Sequence, residues 1–464
     1  MSSLPSSTTA ETTDLRSETD PARTHSPSTV SPPSPDEGDG FDALSDEQFD
    51  EAWQSPTSSS ASLDRWLVQR LLTAYRPCPV RVVLWDGATF DGLGVDGRPI
   101  RDPEYTVRIA SRQSLYRLML KPEYHFLEGY AQGTIEVKGD LAGLLRFLHQ
   151  AQPDEETFRD RIKSQMRRVL PVSTRTASRK NISHHYDIGN EFYRIWLDKQ
   201  LLYTCAYYET DKLSLEEAQI AKMHHICRKL RLQPGEKVIE AGCGWGAFAL
   251  HMARHYDVHV QAYNISKEQL RYARERAKAE GLEDRVEFIE EDWRGIRGSC
   301  DAFVSVGMLE HVGPENYGEL GTVIRSCLKS DGRGLIHTIG QNTATPLNPW
   351  IERRIFPGAQ PPTLKQMMEI FQASGTAVLD VENLRMHYAR TLHHWLERFE
   401  HAASAVRNMF DETFVRVWRM YLASSQAAFE TGRLELFQTL FAPVGHPQAA
   451  TTRADWYEHL WTSP

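Results

Sequence analysis

The 464-residue chain has no long hydrophobic run, and its N-terminus lacks the basic and then apolar pattern of a secretory signal. No stretch approaches the roughly 18 uninterrupted apolar residues that a membrane-spanning helix needs. The composition, with 41% hydrophobic and 25% charged residues, is that of an ordinary soluble protein. We therefore expect a cytoplasmic protein whose contact with any membrane is peripheral.

Paired cysteines are also missing. The six cysteines form no CxxC motif, and a chain of this length does not need disulfides to stabilise its core. They are Cys78, Cys205, Cys227, Cys243, Cys300 and Cys327. We expect reduced thiols, and no metal site is predicted.

Excess charge is confined to one end of the chain. Residues 1–60 contain twelve Asp and Glu against two Arg, a net charge of −10, which leaves the other 404 residues at about +1 of the total of −9. The same segment is rich in Ser, Thr and Pro and cannot bury enough apolar surface to offset the entropy lost on folding. We predict a disordered acidic tail over 1–60.

Apolar patterning begins after this tail and predicts a small α+β domain over 61–158. Helical spacing is found at Leu63–Tyr75, Leu115–Leu120 and Leu141–His149, and strand patterns at Val80–Leu84 and Tyr105–Ile109; Thr134–Val137 precedes a turn-like segment at 138–140.

Eight Arg and Lys residues between 159 and 180 form a basic strip. A solvated linker is the commoner explanation for such a charge run. A surface that attracts anionic lipid headgroups is the functional alternative.

Strands and helices alternate beyond Leu232, which predicts a parallel, doubly wound α/β sheet in a domain over 181–445, followed by a C-terminal tail over 446–464. Ligands bind such sheets outside the carboxyl ends of the strands. The predicted strands are Lys237–Glu240, Val258–Ile265, Val286–Ile289, Ala302–Val306 and Gly334–Thr338; the clearest helix, Lys267–Glu280, is capped by Ser266 and ended by Gly281.

A glycine-rich loop follows the first of these strands, at Gly242, Gly244 and Gly246, with the acidic Glu240 at the strand end. Glycines at this spacing allow a tight turn and a close approach of ligand to backbone. A nicotinamide-binding loop would instead show GxGxxG and an acid at the end of the second strand. The GxGxG loop resembles the first motif of S-adenosylmethionine-dependent methyltransferases, which implies a class I methyltransferase-like (Rossmann-like) fold.

Four further segments are similar to the cyclopropane-fatty-acid synthases, including the mycolic-acid cyclopropane synthases. They read SHHYDIGN (183–190), LYTCAY (202–207), VSVGMLEHVG (304–313) and IHTIG (336–340). The similarity spans roughly 180–440. Phe126–Tyr130 and Gly133–Asp140 also resemble the N-terminal domain of the longer synthases.

The resemblance implies a set of residues that bind S-adenosylmethionine, to which we add the strand-end acid Glu240. Thr204 stands where the family usually has serine, and Asn264 where it usually has threonine. The set comprises Tyr203, Thr204, Glu240, Gly242, Gly244, Gly246, Asn264, Ser266, Gln269, Asp292 and Trp293.

The family also holds a bicarbonate ion close to the transferred methyl group. The matching catalytic residues are Cys205, Glu310, His337, Ile339 and Tyr388. Cys205, His337 and Ile339 each fit a purely structural role as well. Glu310 is the hardest to explain structurally, because an unpaired buried carboxylate is costly.

The implied activity is transfer of the methyl(ene) carbon of S-adenosylmethionine to the cis double bond of unsaturated phospholipid acyl chains. A cyclopropane would form through a carbocation and bicarbonate-assisted deprotonation. Two alternatives stay open: a related methyltransferase that gives methyl-branched or methylene chains, and a silent lipid-binding protein. Nucleic acid is not an expected partner, because the body is near neutral and lacks an Asn-Pro-Pro-Tyr-like motif. The longer synthases suggest a homodimer.

Overall fold

A computed structural model describes residues 59–151, 188–446 and 452–457. Almost all of the predicted acidic tail, the whole basic strip at 159–180 and most of the predicted C-terminal tail lie outside the described residues.

The first described region, 59–151, folds around a four-stranded sheet with the order β2-β1-β3-β4. Strands β1 and β3 pair in parallel, whereas β2 and β4 pair antiparallel to their neighbours. The elements are α1 (Ser62–Ala74), β1 (Val80–Leu84), β2 (Thr89–Asp91), β3 (Tyr105–Ile109), α2 (Arg112–Leu120), α3 (Pro122–Ala131), β4 (Ile135–Lys138) and α4 (Leu141–Gln150). The apolar spacing predicts β1 and β3 with these same bounds, but it does not predict α3, which begins at a proline immediately after α2.

The second described region contains a seven-stranded sheet with the order β10-β11-β9-β8-β5-β6-β7. Its strands are β5 (Lys237–Ala241), β6 (His259–Asn264), β7 (Val286–Glu290), β8 (Cys300–Val306), β9 (Leu328–Gly340), β10 (Thr376–Asn383) and β11 (Glu435–Pro443). Its helices are α5 (Asn190–Trp196), α6 (Leu215–Leu230), α7 (Ala247–Tyr256), α8 (Lys267–Ala279), α9 (Tyr317–Cys327), α10 (Pro349–Arg354), α11 (Leu364–Ser374), α12 (Arg385–His401), α13 (Ala403–Met409) and α14 (Glu412–Glu430).

The predicted doubly wound α/β sheet is confirmed. All five predicted strands are present and pair in parallel. The sheet is wider than the prediction, because β11 pairs antiparallel with both β9 and β10. Helix α8 begins as predicted: the Ser266 hydroxyl accepts a hydrogen bond from the backbone N–H of Gln269 at 3.4 Å.

Helix α14 joins the two regions. Arg416 on this helix donates to the carbonyl oxygens of Tyr130 at 2.6 Å and Ile135 at 3.1 Å, and it forms an ion pair with Glu136. One hydrophobic core extends from β1 and β3 to α12 and α14, and separate cores cover the two faces of the large sheet. Among the described residues, no helix is both long enough and apolar enough to cross a membrane.

Candidate active site

A cleft opens at the carboxyl ends of β5, β6, β7 and β8, with an empty volume of about 1130 Å³ that includes its open mouth. This is the edge of the sheet where the topology predicts a ligand. Nine of the predicted cofactor residues line it: Tyr203, Thr204, Glu240, Gly242, Gly244, Asn264, Gln269, Asp292 and Trp293. The other two, Gly246 and Ser266, do not line this cleft.

The three loop glycines all have positive φ angles, of 88°, 52° and 82° for Gly242, Gly244 and Gly246. They serve different purposes. A Cβ atom on Gly246 would lie 2.6 Å from Phe288 and 2.8 Å from Ala273, so this glycine lets α8 and β7 pack closely against the loop. A Cβ on Gly244 would have no protein atom within 4 Å, because it would point into open space. Gly244 is therefore the position of the loop where a ligand can approach the backbone.

Asn264, at the end of β6, ties the second strand to the glycine loop. Its side-chain amide donates to the carbonyl oxygen of Gly244 at 3.1 Å and to Gln269 Oε1 at 2.8 Å, and its Oδ1 accepts from the backbone N–H of Ser266 at 3.2 Å. The contribution of Ser266 is to cap α8. These contacts make Asn264 and Ser266 supports of the cleft wall.

The acidic residues of the cleft differ in their environment. The Asp292 carboxylate accepts from the backbone N–H of Arg294 and forms an ion pair with its guanidinium, which also lies over the Trp293 ring at 4.3 Å. Glu240 is buried, and its Oε2 atom has no hydrogen-bond partner among the described residues. Burial raises the pKa of Glu240 to about 8. An unsatisfied polar atom of this kind is suited to meet a polar group of a bound ligand.

Sequence reasoning missed Lys222, a buried lysine of α6 that lines the cleft. Its ammonium donates to the Thr204 hydroxyl at 2.8 Å, and Gln219, one helical turn earlier, donates to the Thr204 carbonyl at 2.8 Å. Helix α6 thus holds the Thr204 backbone and side chain together. Burial lowers the pKa of Lys222 to about 8. The signal in the sequence is weak, because a lysine on a charged helix looks like a surface residue.

Three of the five predicted catalytic residues, Glu310, His337 and Ile339, lie on or directly after the neighbouring strands β8 and β9. Glu310 follows β8, and one of its carboxylate oxygens accepts a hydrogen bond from the backbone N–H of Ile339 at 2.6 Å. His337 lies opposite Val306 in the pairing of β9 with β8. The second oxygen of Glu310 and the Nε2 atom of His337 are both buried without a partner among the described residues.

The electrostatics of this group follow from burial. Burial raises the pKa of Glu310 to about 7 and holds the pKa of His337 well below its usual range. At neutral pH the imidazole is uncharged, and the carboxyl group is close to its own midpoint. A carboxyl group in this condition is suited to proton exchange.

The other two predicted residues are held by different neighbours. The Cys205 thiol is fully buried and donates to the carbonyl oxygen of Ala206 at 3.1 Å, and burial raises its pKa. The Tyr388 ring stacks on Phe429, with ring centroids 4.5 Å apart, and meets the edge of Trp395. None of the five residues lines the cleft itself, so their catalytic roles stay predictions.

Comparison with known proteins adds an independent result. The sequence profile of the mycolic acid cyclopropane synthetase family matches residues 173–439, which is more than half of the chain. The chain belongs to this family. A probable fatty acid methyltransferase of Pseudomonas putida is 35% identical over 394 residues, covering 82% of this chain and 96% of the relative. The cyclopropane-fatty-acyl-phospholipid synthase of Escherichia coli K12 is 37% identical over 286 residues, covering 61% of this chain and 73% of the relative.

The solved structures agree with this assignment. The mycolic acid cyclopropane synthase CmaA1, in complex with SAH and CTAB, superposes with a TM-score of 0.54 and 30% identity over 57% of this chain and 97% of the other. The chain is therefore an S-adenosylmethionine-dependent methyltransferase that modifies lipids, with a class I methyltransferase fold. The open position at Gly244 and the unsatisfied oxygen of Glu240 fit S-adenosylmethionine in the cleft.

Proposed function

We propose that this enzyme converts the cis double bond of an unsaturated phospholipid acyl chain into a cyclopropane ring. The observation that carries the proposal is the pair of unsatisfied buried atoms, Glu310 Oε2 and His337 Nε2, beside the cofactor cleft. In a lipid methyltransferase whose product keeps all three hydrogens of the added methyl group, no proton has to leave the added carbon. Such an enzyme has less need of a buried acid–base pair.

An isolated alkene is a poor nucleophile, so the chain's own residues must orient it and exclude water. S-adenosylmethionine, when bound, supplies an electrophilic methyl group on a positively charged sulfur. Aromatic side chains next to the cleft can form the water-excluding wall. Tyr203 lines the cleft, and its hydroxyl lies 2.6 Å from that of Tyr421; the Phe356 ring lies 5.6 Å from the Tyr421 ring. The faces of such rings stabilise the positive charge that develops on the acyl chain.

Ring closure requires that a proton leave the newly added carbon. Bicarbonate, when bound, would supply the base for this step. The residues present fit such an anion, because His337 Nε2 can donate to it and Glu310, with its raised pKa, can share a proton with it. In this proposal the backbone N–H of Ile339 orients Glu310. Cys205 and Tyr388 are the remaining two of the five residues proposed to surround the bicarbonate.

A second product class is supported by one comparison. The relative from Pseudomonas putida, which matches 82% of this chain, is described as a probable fatty acid methyltransferase. If the base is displaced, the same carbocation has time for a hydride shift, and loss of a proton then gives a methylene or an unsaturated methyl-branched chain. A saturated methyl-branched chain would need a hydride donor in addition.

We further propose that the enzyme meets its substrate at the inner face of the membrane, as a cytoplasmic homodimer. The resemblance to the longer synthases supports the homodimer, and the proposed phospholipid substrate supports the location at the membrane. The basic strip at 159–180 would attract anionic headgroups, and we expect vesicle binding to weaken with salt because exposed basic contacts are screened.

The proposal is tested with Glu310→Gln. We expect S-adenosylmethionine affinity close to that of the wild type, because Glu310 does not line the cleft, and ring formation on phospholipid vesicles slower by about a hundredfold or more, the usual scale for loss of an acid–base group. The control is Glu283→Gln, which changes an exposed carboxylate between α8 and β7. Full ring formation by Glu310→Gln would contradict the assigned role.

A further inference from the structure

Three strands bring a row of polar side chains to His337. Glu382 of β10 lies opposite Gln438 of β11, and Gln438 lies opposite His337 of β9. Lys229, near the end of α6, reaches this row from the helix layer. Its ammonium contacts Glu382 Oε2 at 2.5 Å and Gln438 Oε1 at 2.9 Å, and Gln438 Nε2 lies 3.1 Å from His337 Nδ1.

The chemistry of these groups fixes the direction of each hydrogen bond. An ammonium group can only donate, so the Gln438 atom that faces Lys229 must be the amide oxygen. The amide NH₂ group therefore faces His337 and donates to Nδ1. A ring nitrogen that accepts carries no proton, so the proton of the neutral His337 ring lies on Nε2.

Burial lowers the pKa of Lys229, and the ion pair with Glu382 opposes this effect and favours the charged form. Burial alone would raise the pKa of Glu382, but the hydrogen bond from His225 and the charge of Lys229 outweigh it and lower the pKa to about 2. The carboxylate thus stays ionised and stabilises the ammonium. Since Lys229, Gln438 and His337 are each at most 2% exposed, water does not compete for these contacts.

We propose that Lys229 and Gln438 are positioning residues that hold His337 in the tautomer with its proton on Nε2. The ring nitrogen left without a partner among the described residues is then a hydrogen-bond donor. A donor is what an anion beside Glu310 requires. This inference rests on the proposed function for its consequence in catalysis, but the tautomer itself does not depend on activity.

The first test is the tautomer of His337 in the wild-type protein. Nitrogen NMR of the full chain, labelled with ¹⁵N histidine, distinguishes a protonated from an unprotonated ring nitrogen by chemical shift, and the His337→Gln variant identifies the signals that belong to His337. We expect a protonated Nε2 and an unprotonated Nδ1. A proton on Nδ1 in the wild type would overturn the inference, whatever product the enzyme makes.

The second test removes each positioning residue. In Gln438→Leu and in Lys229→Met we expect the His337 signals to shift toward a mixture of tautomers. We also expect kcat to fall by about ten- to a hundredfold while the KM for S-adenosylmethionine stays unchanged, as is common when the partner of an active-site histidine is lost. If Lys229 acts through Gln438, adding Lys229→Met to Gln438→Leu has no further effect on the His337 signals.

Arg228→Met is the matched control. Arg228 precedes Lys229 on α6 and is also buried, but it donates to Glu209 and to the Trp456 carbonyl instead. This variant should leave the His337 signals unchanged. Wild-type signals in Gln438→Leu would overturn the inference even if Glu310→Gln abolishes ring formation. Conversely, the expected shifts in an enzyme that makes no cyclopropane support the positioning role and refute the proposed function.

Discussion

Glu310 is a buried carboxyl group whose ionisation is unfavourable in the folded protein. Its pKa rises from about 4.5 to about 7 on folding because it is buried. Folding therefore favours the protonated carboxyl group. The contribution of Glu310 to stability is fully present below about pH 4.5 and is lost as the pH rises through about 7. A shift of this size corresponds to a loss on the order of 3 kcal/mol above pH 7.

Glu310→Gln should remove this pH-dependent loss, because glutamine does not ionise. We expect the variant to be more stable than the wild type at pH 8, by up to about 3 kcal/mol, and the difference to shrink as the pH falls to 5. Urea unfolding of both proteins at the two pH values measures the difference in their free energies of unfolding. The other titrating groups are the same in both proteins, so their contributions cancel in this difference. A stability difference that is the same at pH 5 and pH 8 would show that Glu310 ionises normally.

Gly244 is the residue where ligand and backbone should meet. Gly244→Val should abolish S-adenosylmethionine binding in calorimetry, because the branched side chain would occupy the open space next to the backbone. Part of any effect comes from the positive φ angle, which L-residues tolerate poorly, at about 1–2 kcal/mol.

Gly235→Val separates the two causes. Gly235 also has a positive φ angle, of 82°, and no atom within 4 Å of its Cβ position, but it lies before β5, away from the cleft. It should show a similar loss of stability with S-adenosylmethionine affinity intact. Equal affinity in a folded Gly244→Val protein would place the cofactor elsewhere.

The resemblance to the cyclopropane-fatty-acid synthases predicts Glu310 as a site residue, and its position at an apolar strand end supports that prediction. Lys222 and Gln438 were not predicted. Lys222 lies on a helix with many charged residues, and its burial depends on a strand end that is distant in sequence. The role proposed for Gln438 depends on its neighbours in the sheet, Glu382 of β10 and His337 of β9. A sequence pattern does not show which strands become neighbours.

At the level of elements, Arg416 attaches helix α14 to the first region. Arg416→Met would remove the donor to the buried Ile135 carbonyl and the ion-pair partner of Glu136, whereas the Tyr130 carbonyl would keep its hydrogen bond from the backbone N–H of Gly133. We expect a loss on the order of 3 kcal/mol in the free energy of unfolding and faster hydrogen exchange in β4.

Arg407→Met on the neighbouring helix α13 is the control. Its ion pair with Glu412 is about half exposed, so the change should cost well under about 1 kcal/mol. Equal effects of Arg416→Met and Arg407→Met on β4 would contradict the role assigned to α14.

The parallel strands β5 to β9 were predictable because each contains a short apolar segment and helices intervene between most of them. Strands β10 and β11 were not. They are separated by α12, α13 and α14 and pair antiparallel, so their place in the sheet depends on how the chain returns from those helices. The β11 residues are almost all buried, which gives them no alternating pattern.

For the whole molecule, family membership and S-adenosylmethionine as the cofactor are established. The location of the reaction at the membrane and the oligomeric state of the enzyme stay predictions. The acidic tail at 1–60 is expected to be dispensable for chemistry, because its composition cannot build a site. The homodimer and the binding of the basic strip at 159–180 to membranes are predictions of the same kind.

The central claim is that the added carbon ends in a ring. The most direct measurement is mass spectrometry of fatty-acid methyl esters from a bacterial host that lacks its own cyclopropane synthase, expresses this chain and is fed methionine labelled with deuterium in its methyl group. We predict products that coelute with cyclopropane standards and retain two of the three deuterium atoms, because ring closure removes one proton from the added carbon. Products that coelute with methyl-branched chains and retain all three, or with methylene chains, would contradict the ring-closing assignment while leaving the methyltransferase assignment intact.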